Sequence, residues 1–549
     1  MTLAVADARA FTPHGSDFPT LSHAAVREKL LAREEIALLD VREEDPFAQA
    51  HPLWAANLPL SRIELEAWRR IPRRDTLLVI YGSHEGVDLA PLAAARLAAL
   101  GYTSAHLLEG GLEGWRSAGG ELFRDVNVPS KAFGELVEHE RHTPSLSAEE
   151  VKALIDARAD VVVLDARRFD EYQTMSIPTA TSVPGAELVL RVRALAPDPA
   201  TRVIVNCAGR TRSIIGTQSL VNAGIPNRVA ALRNGTIGWK LAGQLLDHGA
   251  ALEAPAPSAA QLAAARAGAQ DVARRAGVQW IALDALPSLE APQRTVYRFD
   301  VRTPQEYATG HLPGFAGAPG GQLVQETDHQ VPVRGARIVL ADDDGVRAPM
   351  TASWLAQMGW EVFVVEPHAD SERSVSGTAA QPHPRAPAVA EITPEALAAA
   401  LRDAPDDIAL IDLTTGANHA RRHIPGAWFA IRAQLAQALR AIPPARHYVL
   451  TCGSSLLARF AAADLSDLLG AGRRDAEVSV LAGGNAAWFE AGLPTESGWQ
   501  RIATPATDRY RRPYEGTDAP AAAMQAYLDW EFGLVDQLAA DGTHHFRVL

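Results

Sequence analysis

The sequence predicts an α/β fold class: four tandem domains, each a central parallel sheet flanked by helices, followed by a C-terminal helical tail. Two observations carry that prediction. An apolar strand ending in Asp recurs four times, as IALLDVR, VVVLDAR, YRFDVR and IALIDLT, with the acids at Asp40, Asp165, Asp300 and Asp412. A second apolar strand follows each one (LLVIY, RVIVN, RIVLA, YVLT), and the residue after it lies 42, 42, 42 and 40 positions beyond the Asp. Intervals of 125, 135 and 112 residues between the aspartates suit one domain per copy.

Short β-branched runs of this kind read as central strands of a parallel sheet, buried on both faces. The loop after strand two leads into a helix in every copy: LAPLAAARLAALG, SIIGTQSLVNAG, APMTASWLAQMG and LARFAAADLSDLLG, each closing on a Gly stop signal. A third strand comes next, then a Gly-rich turn and Trp in three copies, GGLEGW to Trp115, NGTIGW to Trp239 and GGNAAW to Trp488. The third copy has only VFVVEPHAD there and reads as decayed at that end. Alternating strands and helices imply right-handed crossovers, and such sheets place ligands at the loop leaving the carboxyl end of a central strand. The domains are placed at 18–135, 140–255, 275–370 and 388–500, with an extension at 501–549. The linkers are EHERHTPSLS, EAPAPSAAQ and SVSGTAAQPHPRAPA, the last the most flexible by composition. In the extension, AAMQAYLDWEFGLVDQLAADG reads as one amphipathic helix capped by Gly542, docked on a repeat or completing a homo-oligomer; His544 and His545 read as surface residues.

Composition narrows the function classes. The chain has 549 residues, 47% hydrophobic and 21% charged, with a formal net charge of -13. No basic run suggests a nucleic-acid footprint, so nucleic acid is not expected as a partner. No apolar run reaches the ~18 residues of a membrane span, and MTLAVADARAFTPHG lacks the basic and apolar regions of a signal peptide. Only Cys207 and Cys452 occur, which fits a reducing compartment and a cytoplasmic location. With no GxGxxG after a strand and no P-loop lysine, no cofactor is expected, and no metal.

Copy two carries LDAR at Asp165, NCAGRTRS from Asn206 to Ser213 and NGTIGW to Trp239, while HLPG at His311 and HIPGA at His423 supply a further element. These residues resemble the rhodanese (thiosulfate sulfurtransferase) family; SIPTA from Ser176 is a weaker form of the last element, without its His. The resemblance spans residues 18–500, strongest in copy two and weakest in copy three. It implies a Cys-centred loop that carries sulfur as a persulfide, taken from thiosulfate and passed to a thiol or to cyanide. Multi-copy members often keep one working domain. Here only copy two has both Cys and Arg in the loop, so Cys207 is the expected nucleophile and Ala208, Gly209, Arg210, Thr211, Arg212 and Ser213 the expected substrate-binding residues.

The residues themselves support that chemistry. Small Ala208 and Gly209 let backbone N–H groups point inward around the sulfur at a helix N-terminus, and Arg210 and Arg212 add positive charge. All three effects favour thiolate; lowering a thiol from ~8.5 to about 7 raises its ionised share at neutral pH from about 3% to half. Arg212 is expected to close the cradle, and Arg210 to bind donor oxygens or face solvent. Thr211 and Ser213 are candidates to hydrogen-bond the sulfur, Ser213 alternatively capping the helix. Asp165 either anchors a loop arginine or is a turn carboxylate, and Trp239 reads as core.

Two rivals stand beside this reading. Cys-loop phosphatases and arsenate reductases typically put five residues between Cys and Arg, whereas AGRT supplies four here. A non-catalytic binding scaffold is favoured by YGSHEGVD, where Gly82 takes the nucleophile's place, and by ADDDGVRA, where Asp342, Asp343 and Asp344 read as a solvated acidic turn that would repel an anionic donor. Copies one and three are therefore expected to be inactive. In copy four, TCGSSLLAR makes Cys452 a second candidate thiol, with Leu457 where the arginine should be; an inert, small, buried cysteine is the alternative.

Overall fold

The structure, a computed structural model, describes residues 18–290, 294–367, 369–378, 381–470 and 476–549. The N-terminal stretch weighed above for a signal peptide lies outside the described residues, as do two residues of the third linker. Each repeat forms one five-stranded sheet, and its strands pair in parallel throughout. In repeat 2 the order across the sheet is Thr181–Ser182, Val161–Asp165, Arg202–Asn206, Val229–Leu232, Ser145–Leu146. The recurring aspartate faces the last residue of strand two in the same register four times: Asp40 with Tyr81, Asp165 with Asn206, Asp300 with Ala341, Asp412 with Thr451. That shared register brings each variable loop residue to the carboxyl edge of its sheet.

The constant acid fastens local structure rather than a loop arginine, which settles the two readings of Asp165. Its carboxylate accepts from Arg167 at 2.8 and 2.7 Å and from the Asn206 amide at 2.9 Å, and Arg167 continues to the Met175 carbonyl at 2.6 Å. Asp40 with Arg42 and Asp300 with Arg302 repeat the arrangement, reaching the Ala50 and Gly310 carbonyls. In repeat 4 the partner is His419 at 2.9 Å. A buried acid without such a partner would be costly, so the pair travels together whether or not the loop holds a cysteine. The three repeat tryptophans are buried, each indole N–H donating to a carbonyl six residues on: Glu121, Leu245 and Pro494.

Three sequence readings change. The first linker begins inside a helix, Val128–Arg141, which packs on the helix Thr211–Asn222 after the repeat 2 loop. The second linker likewise runs into a helix, the 18-residue Ala259–Ala276, which packs against Arg347–Gln357 of repeat 3. The tail is two helices, Ala521–Phe532 and Leu534–Asp541, broken at Gly533, with Gly542 capping the second at φ +66°. Both dock on the repeats of the same chain, and His544 and His545 are half-buried there.

The repeats interlock through ion pairs. Arg432 of repeat 4 meets Glu64 of repeat 1 at 2.6 Å, and Arg347 of repeat 3 meets Glu187 of repeat 2 at 2.8 Å. Repeats 1 and 3 join where Ile36 and Arg334 exchange backbone hydrogen bonds. Among the described residues no helix is long and apolar enough to cross a membrane.

Ion pairs within the repeats predict an acid limit to stability. Burial opposes ionisation of Glu66, Glu171 and Glu306, yet Arg70 and Arg62, Arg212, and Arg347 respectively hold them down to about 2, against an ordinary 4.5. A depressed carboxylate contributes stability that is complete above its unfolded value and lost as pH falls through the folded one. The melting midpoint is therefore expected to drop steadily from pH ~4.5 toward ~2, followed by circular dichroism; a flat profile across that window would contradict the pairing.

Candidate active site

Strand Arg202–Asn206 delivers Cys207 into a short loop that ends at the helix Thr211–Asn222. The Cys207 side chain is 1% exposed. Its thiol donates to the Ser213 hydroxyl at 3.4 Å, and that hydroxyl donates to the Arg210 carbonyl at 2.8 Å. Ser213 therefore does bond the sulfur, while the Thr211 methyl would lie 2.8 Å from a Cβ added at Gly134.

The loop carbonyls are pulled outward by the turn that carries Trp239. Thr236 N–H donates to the Cys207 carbonyl at 2.9 Å and Ile237 N–H to the Ala208 carbonyl at 3.0 Å. With the carbonyls held outside, the remaining loop amides are free to face the sulfur. This grip requires Gly235, at φ +53°, because a Cβ there would sit 2.3 Å from the Cys207 carbonyl oxygen. The sequence reading credited this turn only with core packing; the signal was the matching Gly484 before Trp488.

Arg212 forms a bidentate pair with Glu171, 2.8 Å on each arm, and its positive charge acts on Cys207. Arg210 neither faces solvent nor is free for a donor. It is buried at 4% exposure, paired with Glu135 at 2.8 and 2.7 Å and with Glu138, and its guanidinium lies 4.2 Å from the Phe532 ring centre. It is a strut tying the loop to helix Val128–Arg141 and to the tail. Glu171 and Glu135 were missed in the sequence because neither is near Cys207 along the chain.

Most unexpected is the cover. The helix Ala521–Phe532 lies over the loop, so that a Cβ on Gly209 would meet the Tyr527 ring at 3.2 Å and the Glu531 carboxyl at 3.3 Å. Burial pushes the Cys207 thiol above its ordinary value; Arg212 and Ser213 pull it down, and Glu531 adds to the rise. The direction is opposite to the expectation of a thiol near 7, because burial disfavours the charged thiolate.

The other loops differ in kind. Repeat 1 replaces the cradle with a hairpin, Ser83–His84 against Val87–Asp88. In repeat 3 only Asp343 of the acidic run is exposed to solvent. Asp344 and Arg347 are buried and paired at 2.5 Å, and the Asp342 carboxylate accepts from the N–H groups of Gly345, Val346 and Ala348 at 3.1, 3.1 and 2.8 Å. A carboxyl group thus sits in that loop's amide nest, pushed up to about 8 by burial and by the neighbouring Asp344. In repeat 4, Cys452 is 4% exposed and its carbonyl is gripped by Asn485 N–H at 2.7 Å, but Arg459 is taken by Glu391. Arg62 of repeat 1 is the cation whose charge reaches Cys452.

A family model described as a rhodanese-like domain matches residues 23–118, 147–242, 287–367 and 393–491. The chain belongs to the rhodanese-like family. Among solved structures, the thiosulfate sulfurtransferase of Pseudomonas aeruginosa is similar to this rhodanese-like chain over 97% of its length and 100% of that protein's, at 62% identity and a TM-score of 0.94. The Alr3790 protein of Anabaena sp. aligns with 20% of this chain and 84% of its own, at 21% identity and a TM-score of 0.18. No curated protein matches the chain.

Proposed function

We propose that this protein is a cytoplasmic thiosulfate sulfurtransferase in which Cys207 carries the sulfur. The observation that carries this reading is that, of the four equivalent loops, only that of repeat 2 sets a thiol beside a fixed guanidinium of its own loop. The near-full-length relative bearing that activity in its name supports it. Four residues between Cys207 and Arg212 make a cradle for one sulfur rather than for a phosphoryl group.

The chemistry follows from the geometry. Thiosulfate presents its outer sulfur to Cys207 Sγ; the new S–S bond forms as the donor's own S–S bond breaks. The electron pair of the broken bond leaves with sulfite, which also takes the thiol proton. The persulfide anion stays in the loop, held by amide N–H groups, Ser213 and Arg212. A thiol or cyanide then attacks the outer sulfur and restores Cys207. Arg210 acts as the strut described above and not as a donor ligand. Repeats 1 and 3 serve as framework, and Cys452 is inert packing. With a net charge of -13 the surface does not attract nucleic acid.

Two half-reactions predict ping-pong kinetics, parallel lines in double-reciprocal plots of thiosulfate against acceptor. Treating the protein with thiosulfate alone is expected to add the mass of one sulfur to the Cys207 peptide. Intersecting lines with no adduct would sink the reading.

A further inference from the structure

The C-terminal helix Ala521–Phe532 belongs to no repeat, yet its buried residues, Met524, Tyr527, Leu528 and Glu531, all share one face. The apolar three pack with Ile237 in the turn that grips the Cys207 loop. Glu531 breaks the apolar pattern while remaining 0% exposed. Its Oε1 accepts from the Tyr527 hydroxyl at 2.8 Å, but Oε2 has no partner, and this free oxygen would lie 3.3 Å from a Cβ on Gly209. Native structures rarely leave a buried carboxyl oxygen unbonded, so one set against the Cys207 loop marks a place for a further partner. The nearby cation is not that partner: Lys131 is bound to Asp125 at 2.7 Å and ringed by Tyr514, Tyr527 and Trp530 at 5.1–5.7 Å.

We propose that Glu531 is a further substrate-contacting residue, its free oxygen closing the Cys207 cradle and donating a hydrogen bond to the anion held there, first thiosulfate and then the persulfide. This rests on the reading of Cys207 as the sulfur carrier. The carboxyl must keep its proton to donate, and the groups around it decide that. Burial and Glu135 raise it, Lys131, Tyr527 and Arg210 lower it, and the balance pushes it up to about 8. Below that value it is a neutral donor. Above it, the carboxylate confronts a dianion, as it already opposes ionisation of Cys207. No bond to Glu531 forms or breaks in either half-reaction, so the transfer stoichiometry is unchanged.

The test measures KM for thiosulfate and kcat from neutral to alkaline pH on the full-length protein, Glu531→Gln and Glu531→Leu, with the Cys207 adduct followed by mass spectrometry. In the wild type, KM is expected to climb as pH passes about 8. Glu531→Leu, neutral but unable to donate, should raise KM roughly tenfold or more at neutral pH. Glu531→Gln should recover most of that loss through its amide and lose the alkaline climb, which a merely structural role would not produce. Adduct formation at saturating thiosulfate separates misfolding from weak binding. If the wild type forms no adduct, the underlying reading fails. If it does, and Glu531→Gln keeps the wild-type climb or Glu531→Leu the wild-type KM, the role of Glu531 is overturned and sulfur transfer by Cys207 stands.

Discussion

Replacing Cys207 by serine is expected to cut sulfur transfer from thiosulfate by about a thousandfold or more. Serine keeps the size of the side chain and its hydrogen bond to Ser213, so the fold and the loop are retained. What disappears is the atom: an alcohol oxygen neither attacks a sulfane sulfur efficiently nor holds it as a persulfide. Cys452→Ser should retain most of the turnover, because the repeat 4 loop has Leu457 in place of the arginine and a cation that approaches it, Arg62, is already paired with Glu66. A steady-state assay on both variants decides the matter. A deep loss in Cys452→Ser would convert the inert thiol into a relay station.

What could be read in the sequence was local. The aspartate strands, the strand-two runs and the Gly–Trp turns are short patterns whose physics is complete within a few residues, so the four sheets and their order followed from spacing alone. Helix Val128–Arg141 escaped for the opposite reason. Its buried face includes Ser130, Lys131 and Glu135, a polar set that reads as solvent-facing. Asp125 and three aromatic rings of the tail satisfy Lys131, Arg210 satisfies Glu135, and the Gln325 carbonyl accepts from Ser130. The same holds for Arg210: its charge is legible in CAGRTRS, but its commitment to Glu135 and Glu138 is not.

The thiol's ionisation shows the limit most sharply. Amides, two arginines and a helix N-terminus argue for a thiolate, and each ingredient is present in the loop. The deciding contribution is burial, set by packing from the whole fold, with Tyr527 and Glu531 of the tail lying over Gly209 of the loop. Arg212 and Ser213 favour the anion and are legible in the loop, whereas the desolvation that outweighs them depends on the packing of distant elements.

Gly235→Ala is expected to remove sulfur loading almost as completely as loss of the cysteine, although residue 235 touches no substrate. The backbone there is left-handed at φ +53°, which costs an L side chain ~1–2 kcal/mol before any contact is counted. The added methyl would sit 2.3 Å from the Cys207 carbonyl oxygen and 2.8 Å from that of Gly209, both backbone atoms that cannot swing aside. Either the turn or the loop must retreat, and the hydrogen bonds from Thr236 and Ile237 that hold the loop carbonyls outward are lost, at ~1 kcal/mol each. A displacement of about 1 Å at a reacting atom is worth roughly a hundredfold in rate. Gly484→Ala supplies the matched control. Its φ is +63° and its methyl would lie 2.4 Å from the Cys452 carbonyl, so repeat 4 should suffer the same local damage and a similar fall in melting temperature. Turnover should nevertheless survive in Gly484→Ala and fail in Gly235→Ala. Equal losses of activity in the two would mean that the loops of repeats 2 and 4 work as one site.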